Sequence, residues 1–305
     1  MRQWKWIAIG IAAVILLMTL PFITRRTDII TWFFFVLLYI TLAQGWNVIG
    51  GLTGQHNLGH AAFFGIGALI ARYLWLWGVP LPIALAAGGI GAAIFAIIIG
   101  GPAFRLKGVY FVIGTLVLAE ILRMIFDTVL PRANVLPSEM LNKYSLTPRY
   151  YLSLVISVLT VITVYWISRS RTGLGMMAVR EDEDAAEASG VTIQNYKLVA
   201  FLISTFIAGL AGGVFAYYSA AAQPGNLFAP VWTFDAVIIV FVGGVGTILG
   251  PIIGAFFFVL LQQILSLFLP SGMHLLVFGI LFIVVVLYLP GGLIGLIAKL
   301  RKTVS

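Results

Sequence analysis

Apolar residues come in long runs along this chain, and each run is closed by a charge, a proline or a glycine. The runs fall at 6–23, 29–50, 58–77, 82–101, 108–130, 150–168, 197–221, 232–249, 251–269 and 273–289. Most are close to the ~20 residues that carry a helix across the hydrocarbon core of a bilayer. The pattern predicts an all-α polytopic membrane protein with about ten transmembrane helices, in one domain over residues 1–305. The range is eight to ten, because 58–77 reads as partly re-entrant and only Gly250 divides 232–249 from 251–269. Small residues recur every four positions at Ala84, Gly88, Ala92, Ala96 and Gly100, at Gly246, Gly250 and Gly254, and at Gly209 and Gly213. On a helix each set makes a smooth ridge where a second backbone can come close.

Composition agrees with lipid as the solvent. A soluble domain carries about 25% charged residues, whereas this chain has 9%, with 61% hydrophobic residues and a mean hydropathy of +1.09. The absence of cysteine excludes disulfides and thiolate chemistry. The net charge of +8 lacks the basic, aromatic patch of a nucleic-acid binder. It fits instead the Lys and Arg excess of cytoplasmic loops. The first stretch has the basic start and apolar middle of a leader. It lacks a small-x-small cleavage site ahead of Arg25 and Arg26, so it is expected to remain as the first span. With both termini cytoplasmic, the inner segments hold eleven Lys and Arg against five in the outer loops, the bias the positive-inside rule requires.

Two longer polar segments interrupt the pattern. The outer loop 131–149 has three prolines and is expected to be extended or a short surface helix. The inner segment 169–196 holds five of the ten acidic residues. From Arg180 to Ser189 every residue tolerates a helix, and Gly190 is a natural C-terminal stop. The acids sit toward the helix start, where the dipole favours them. Either this is a solvated loop or it is a docking surface for a cytoplasmic partner.

The stretch "GLTGQHNLGHAAFFGIGAL" (51–69) sets bare backbone and amide and imidazole groups beside hydrocarbon. Gln55, His56, Asn57 and His60 either satisfy non-helical backbone at membrane depth or line a path for a polar solute. His56 and His60 are four apart, but no nearby acid or cysteine completes a metal site. Glu120, Arg123 and Asp127 share a helix face at spacings of three and four. They form either a self-neutralising cluster or a polar patch beside the path. Arg72 is expected to snorkel outward, and His274 to sit at the membrane interface.

Four blocks resemble one family: "GLTGQHNLGHAAFFGIGAL", "RLKGVYFVIGTLVLAEILRMIF", "AVREDEDAAEASGVTIQNYKLVAFLISTFIAGLAGG" and "FVGGVGTILGPIIGAFFF", in that order between residues 51 and 258. They are similar to the LivM-type permeases of branched-chain amino acid ABC importers in bacteria and archaea, which sit in the cytoplasmic membrane. The resemblance implies an acidic-alanine loop whose short helix sits in a groove of an ATPase subunit, with Glu183, Ala185, Ala186, Glu187 and Gly190 forming the coupling surface. It also implies a LivH-like second permease, two cytoplasmic ATPases that bind ATP and Mg, and a periplasmic or lipid-anchored substrate-binding protein. Asp235, near an outer end, would meet that arriving protein. No G-x-x-x-x-G-K-[ST] occurs, so no phosphate cradle and no cofactor are expected in this chain. Nor is there a G-x-S-x-G or an H-E-x-x-H, so no enzyme is expected. Within the resemblance, the cargo is branched-chain or other small amino acids, or alternatively urea, amides, aromatic acids or sugars. An ion-coupled secondary transporter using Glu120 and Arg123 is the reading from a different class.

Overall fold

The computed structural model describes residues 2–24, 26–106, 108–130, 134–268, 273–288, 291–296 and 299, with backbone alone for 2–9, 134, 274, 275 and 286. The His274 side chain therefore lies outside the described residues. Among the described residues, seven helices are long and apolar enough to cross a membrane, and three shorter apolar helices accompany them at 10–23, 60–76 and 276–285. Each expected run thus coincides with an apolar helix.

Going along the chain, α1 is Arg2–Ile23 and α2 is Thr27–Trp46, which continues into a π turn at Asn47–Gly51. Then come α3 (His60–Leu76), α4 (Leu81–Ala103) and α5 (Val109–Val129). The 131–149 segment is extended at β1 (Asn134–Val135) and helical at α6 (Ser138–Asn142), so both expected forms occur. After α7 (Leu146–Arg169) the chain makes a hairpin of α8 (Arg171–Glu181) and α9 (Glu183–Ala188). The remainder is α10 (Ile193–Tyr218), β2 (Ala221–Ala222), α11 (Pro224–Leu227), α12 (Val231–Gly243), α13 (Leu249–Phe268) and α14 (Met273–Tyr288). β1 and β2 pair antiparallel at the end of the bundle opposite the α8–α9 hairpin.

The centre is α3, α4 and α10, and small residues let them meet. Ala84, Gly88, Ala92, Ala96 and Gly100 are all buried, as their four-residue period predicts. A Cβ on Gly67 would lie 2.3 Å from the Gly209 backbone, and one on Gly212 would lie 2.0 Å from the Phe64 carbonyl oxygen. In lipid such close backbone contact supplies the dispersion energy that apolar burial supplies in water. The opposite face of α4 carries Ile90, Ile94, Ile97 and Ile98, each more than half exposed. That surface is stable only against hydrocarbon or another apolar chain.

Three sequence expectations are corrected here. Gly246, Gly250 and Gly254 do not form one helical ridge. Gly244 (φ 133°) and Gly246 (φ 73°) take left-handed backbone, which ends α12 at Gly243 rather than 249 and leaves a turn at 244–248. Of the three, Gly254 faces α12 and Gly250 the turn that follows it: their Cβ atoms would lie 2.1 Å from Ile239 O and 2.2 Å from Gly244 O. The helix expected over Arg180–Ser189 is broken at Asp182, whose extended backbone (φ −160°, ψ 114°) makes it the N-cap of α9. Arg72 does not snorkel outward. It is buried and donates to the carbonyls of Ala216 (2.7 Å), Ser219 (2.9 Å) and Ala220 (3.1 Å). The last turn of α10 has carbonyls without helical partners, at the negative end of its dipole, and these satisfy the guanidinium inside the protein.

Candidate functional site

The hairpin is built to hold a face away from the bundle. Ser170 caps α8 by accepting from the Gly173 N–H at 3.2 Å, and Asp182 caps α9 by accepting from Ala185 N–H at 3.0 Å. Gly190 (φ 83°) closes α9: its N–H bonds Glu187 O at 2.9 Å and the Val191 N–H reaches back to Ala186 O at 3.0 Å. This double closure needs a left-handed residue, which is why glycine stands there. Asp184, Ala185, Glu187 and Ala188 are exposed. Ala186 is buried at 5% exposure, and Glu183 turns inward. Of the residues that the resemblance named, Ala185 and Glu187 are exposed, Gly190 closes the helix, Ala186 is buried, and Glu183 bonds back to the bundle while its side chain stays 43% exposed.

Glu183 accepts from Lys197 Nζ at 2.7 Å, at the start of α10, and from Gln55 Nε2 at 3.4 Å. Beside it, Arg180 donates from Nη1 to the carbonyl of Gly51 at 2.8 Å. The hairpin is thus wired to the junction where α2 breaks. There α2 passes through the π turn, and two amides hold the 244–248 turn against it. Asn47 Nδ2 donates to Thr247 O at 2.9 Å while its Oδ1 accepts from Gly246 N–H at 2.9 Å, and Gln44 Nε2 donates to Ile248 O at 2.7 Å. Sequence reasoning missed Gln44, Asn47 and Arg180. The available signal was two amides one turn apart at the end of an apolar run, and a single base ahead of the acids.

The polar side chains of the 51–60 stretch divide between buried and accessible positions. Its backbone is largely satisfied within the protein: Trp46 Nε1 donates to Asn57 O (2.7 Å), Leu58 N–H to Thr115 Oγ1 (3.1 Å) and Ala61 N–H to Thr233 Oγ1 (2.8 Å). Asn57 is fully buried and its Oδ1 accepts from Gly59 N–H at 2.8 Å, a structural duty. His60 is also fully buried, as the first residue of α3, whereas His56 precedes that helix and is exposed against Trp46 and Phe241. The two imidazoles therefore do not share a helix face. Of the four path candidates here, Gln55 and His56 reach an accessible surface.

Glu120 and Arg123 pair with each other, Nε donating to Oε2 at 2.9 Å, with both side chains about one-third exposed. They stand apart from the 51–60 stretch, which meets α5 a turn and more earlier, at Thr115. The two charges offset each other within α5.

Toward the opposite end, α2 and α13 enclose a groove of about 740 Å³ lined by Asp28, Thr31, Tyr39, Gln262, Gln263 and Ser266 among others. Polar side chains on two spans in so apolar a chain point to water or a polar solute. At its floor Tyr39 Oη donates to Asp235 at 2.8 Å, with Asp235 only 5% exposed. Asp235 is thus an internal acceptor, not a contact for an arriving protein. Tyr39→Phe leaves this carboxyl without its hydroxyl partner, a loss of about 1–3 kcal/mol. Asp235→Asn keeps an acceptor for the tyrosine. The melting midpoint of the purified chain in detergent should fall for the first and stay near wild type for the second.

These features define a polytopic helical membrane protein with a broken span and a hydrogen-bonded hairpin at one end. The chain belongs to the family described as "Branched-chain amino acid transport system / permease component", which matches residues 28–286. It is accordingly a permease component of the ABC transport class rather than an enzyme. It is 29% identical to the high-affinity branched-chain amino acid transport system permease protein LivM of Escherichia coli (strain K12), over 93% of this chain and 74% of that one. BraD of Pseudomonas aeruginosa is 25% identical and LivH of Salmonella typhimurium 24%, each over 84% of this chain and 91% of its own. Similarity to both the LivM and the LivH kind places the chain among permease subunits of multi-component transport systems. No solved structure matches the chain.

Proposed function

We propose that this chain is one of two membrane permeases in an ATP-driven importer that brings branched-chain or similarly small amino acids across the cytoplasmic membrane. The observation that carries this is the hairpin: an exposed Asp184, Ala185, Glu187 and Ala188 face, capped at both ends and tied to the broken end of α2. A solvated loop has no need of such wiring. In this reading the hairpin is cytoplasmic, as are both termini, and it sits on one of two ATPase subunits that bind ATP and Mg. The second permease is LivH-like. The groove between α2 and α13 is the outer part of the solute path, fed by a periplasmic or lipid-anchored binding protein. Its aromatic and aliphatic wall, with Trp32, Phe35 and Val259, suits an apolar side chain, and its amides and hydroxyls suit a zwitterionic head. The relatives' names supply the amino acid assignment.

The test is reconstitution of this chain with its companion permease, ATPases and binding protein in liposomes. Leucine, isoleucine or valine should accumulate only when ATP is present on the hairpin side. Uptake by the chain alone on a proton or sodium gradient would replace this reading with the ion-coupled one.

A further inference from the structure

Arg180 ties the hairpin to Gly51, and three elements converge on its side chain. It leaves α8 one residue before that helix ends, and Nη1 bonds the Gly51 carbonyl at 2.8 Å. Gly54 and Gly246 flank it, both in left-handed backbone, at φ 72° and 73°. Their missing side chains make its berth. A Cβ on Gly246 would lie 2.4 Å from Arg180 Nη1, and one on Gly54 would lie 3.2 Å from Arg180 Cγ. Gly246 N–H is itself held by Asn47, in the π turn of α2. One side chain therefore lies against three elements: its guanidinium against the end of α2 and the turn joining α12 to α13, and its Cγ against the 52–59 link into α3.

We propose that Arg180 is the transmission residue of the permease, carrying displacement of the hairpin to the broken end of α2 and to the 244–248 turn together. This rests on the hairpin being the ATPase-docking element. The face that would meet an ATPase is on α9, whereas the Arg180 guanidinium, 37% exposed as a side chain and with Nη2 3.3 Å from Glu181, reaches back with Nη1 to Gly51. A π turn interrupts the regular hydrogen-bond register of a helix and is frequently found at functional sites. The Gly51 carbonyl sits at the end of that turn, so a pull on it acts where α2 is least regular. Among the described residues, the hairpin's other polar ties, through Glu183, reach Lys197 and Gln55, and Met176 of α8 packs in one cluster with Val48 and Leu52; neither reaches the 244–248 turn.

The experiment has two arms, using Arg180→Gln and Gly246→Ala. The second variant keeps the arginine but fills its berth, so it covers the case in which the first does not fold. In the first arm, hydrogen exchange is measured on the purified chain. Both variants should speed exchange of amides in 47–58 and 244–248 by at least about tenfold, the expected consequence of losing about 1.4 kcal/mol of local protection, with α4 and α10 unchanged. Wild-type exchange in those two segments overturns the link, whatever the chain transports. In the second arm the assembled importer is assayed for ATP hydrolysis and for leucine uptake. The ATPases should still co-purify and hydrolyse ATP, while leucine moved per ATP falls at least about tenfold, and Arg180→Lys should recover part of it. A wild-type ratio overturns the transmission role. Loss of the ATPases from the complex also overturns it, because Arg180 would then be a docking contact. A wild-type assembly that moves no leucine counts against the proposed function alone, and the exchange arm still decides the link.

Discussion

Glu187→Lys should cut ATP-driven leucine uptake by at least about tenfold and leave the chain's membrane insertion and detergent melting midpoint unchanged. Glu187 is exposed on α9, one turn beyond the Glu183 that bonds Lys197. A surface substitution of this kind changes stability by no more than about 0.5 kcal/mol. Here the local effect even favours the variant, because a cation suits the last turn of a helix better than an anion does. The penalty falls on docking. Reversing a charge sets like against like at the contact, which costs several kcal/mol, and each 1.4 kcal/mol is a factor of ten in affinity. Normal uptake together with normal stimulated ATP hydrolysis in this variant would remove α9 as the docking helix.

Gly212→Leu should have the largest effect on stability. The new Cβ would lie 2.0 Å from Phe64 O and 3.0 Å from Ala68 N, and both are backbone atoms of α3. No side chain can rotate away to make room, so α3 and α10 must separate along the most closely packed seam of the bundle. Overpacking a core usually costs about 1–3 kcal/mol, and a backbone clash belongs at or above the upper end. The melting midpoint should drop and the monodisperse fraction in mild detergent should shrink. Gly101→Leu is the control, since a Cβ there meets nothing within 4 Å. If both variants melted like wild type, α3 and α10 would not cross at Gly212.

Most of the helices were legible because lipid makes a blunt demand. A span must be apolar along its length and must satisfy its own backbone. The 84–100 stripe was legible for a similar reason, because a four-residue period of small side chains has one use on a helix. The breaks were harder. Gly246 looked like the first step of a ridge, since its spacing to Gly250 is right, and only its left-handed backbone takes it off the helix. Asp182 looked like one more helical acid, but it caps rather than continues, and aspartate does both. Arg72 and Asp235 were misplaced outward because hydropathy grades a charge by its type. Their partners, the α10 carbonyls and the Tyr39 hydroxyl, are remote in sequence: Tyr39 and Asp235 are 196 positions apart. Arg180 escaped notice for the same reason, its acceptor Gly51 lying 129 positions away.

The two ends of α10 are fastened very differently. Near Tyr218, Arg72 and Arg149 clasp its carbonyls, with Arg149 Nε 3.0 Å from Tyr217 O, and the Tyr144 hydroxyl holds Tyr218 O at 2.8 Å. At the Ile193 end, the ion pair of Lys197 with Glu183 joins the helix to α9. Were α10 to tilt about its clasped end, its 26 residues, about 39 Å at 1.5 Å per residue, would move the Ile193 end by roughly 0.7 Å per degree. A tilt of a few degrees would then be an ångström-scale displacement where the hairpin is attached.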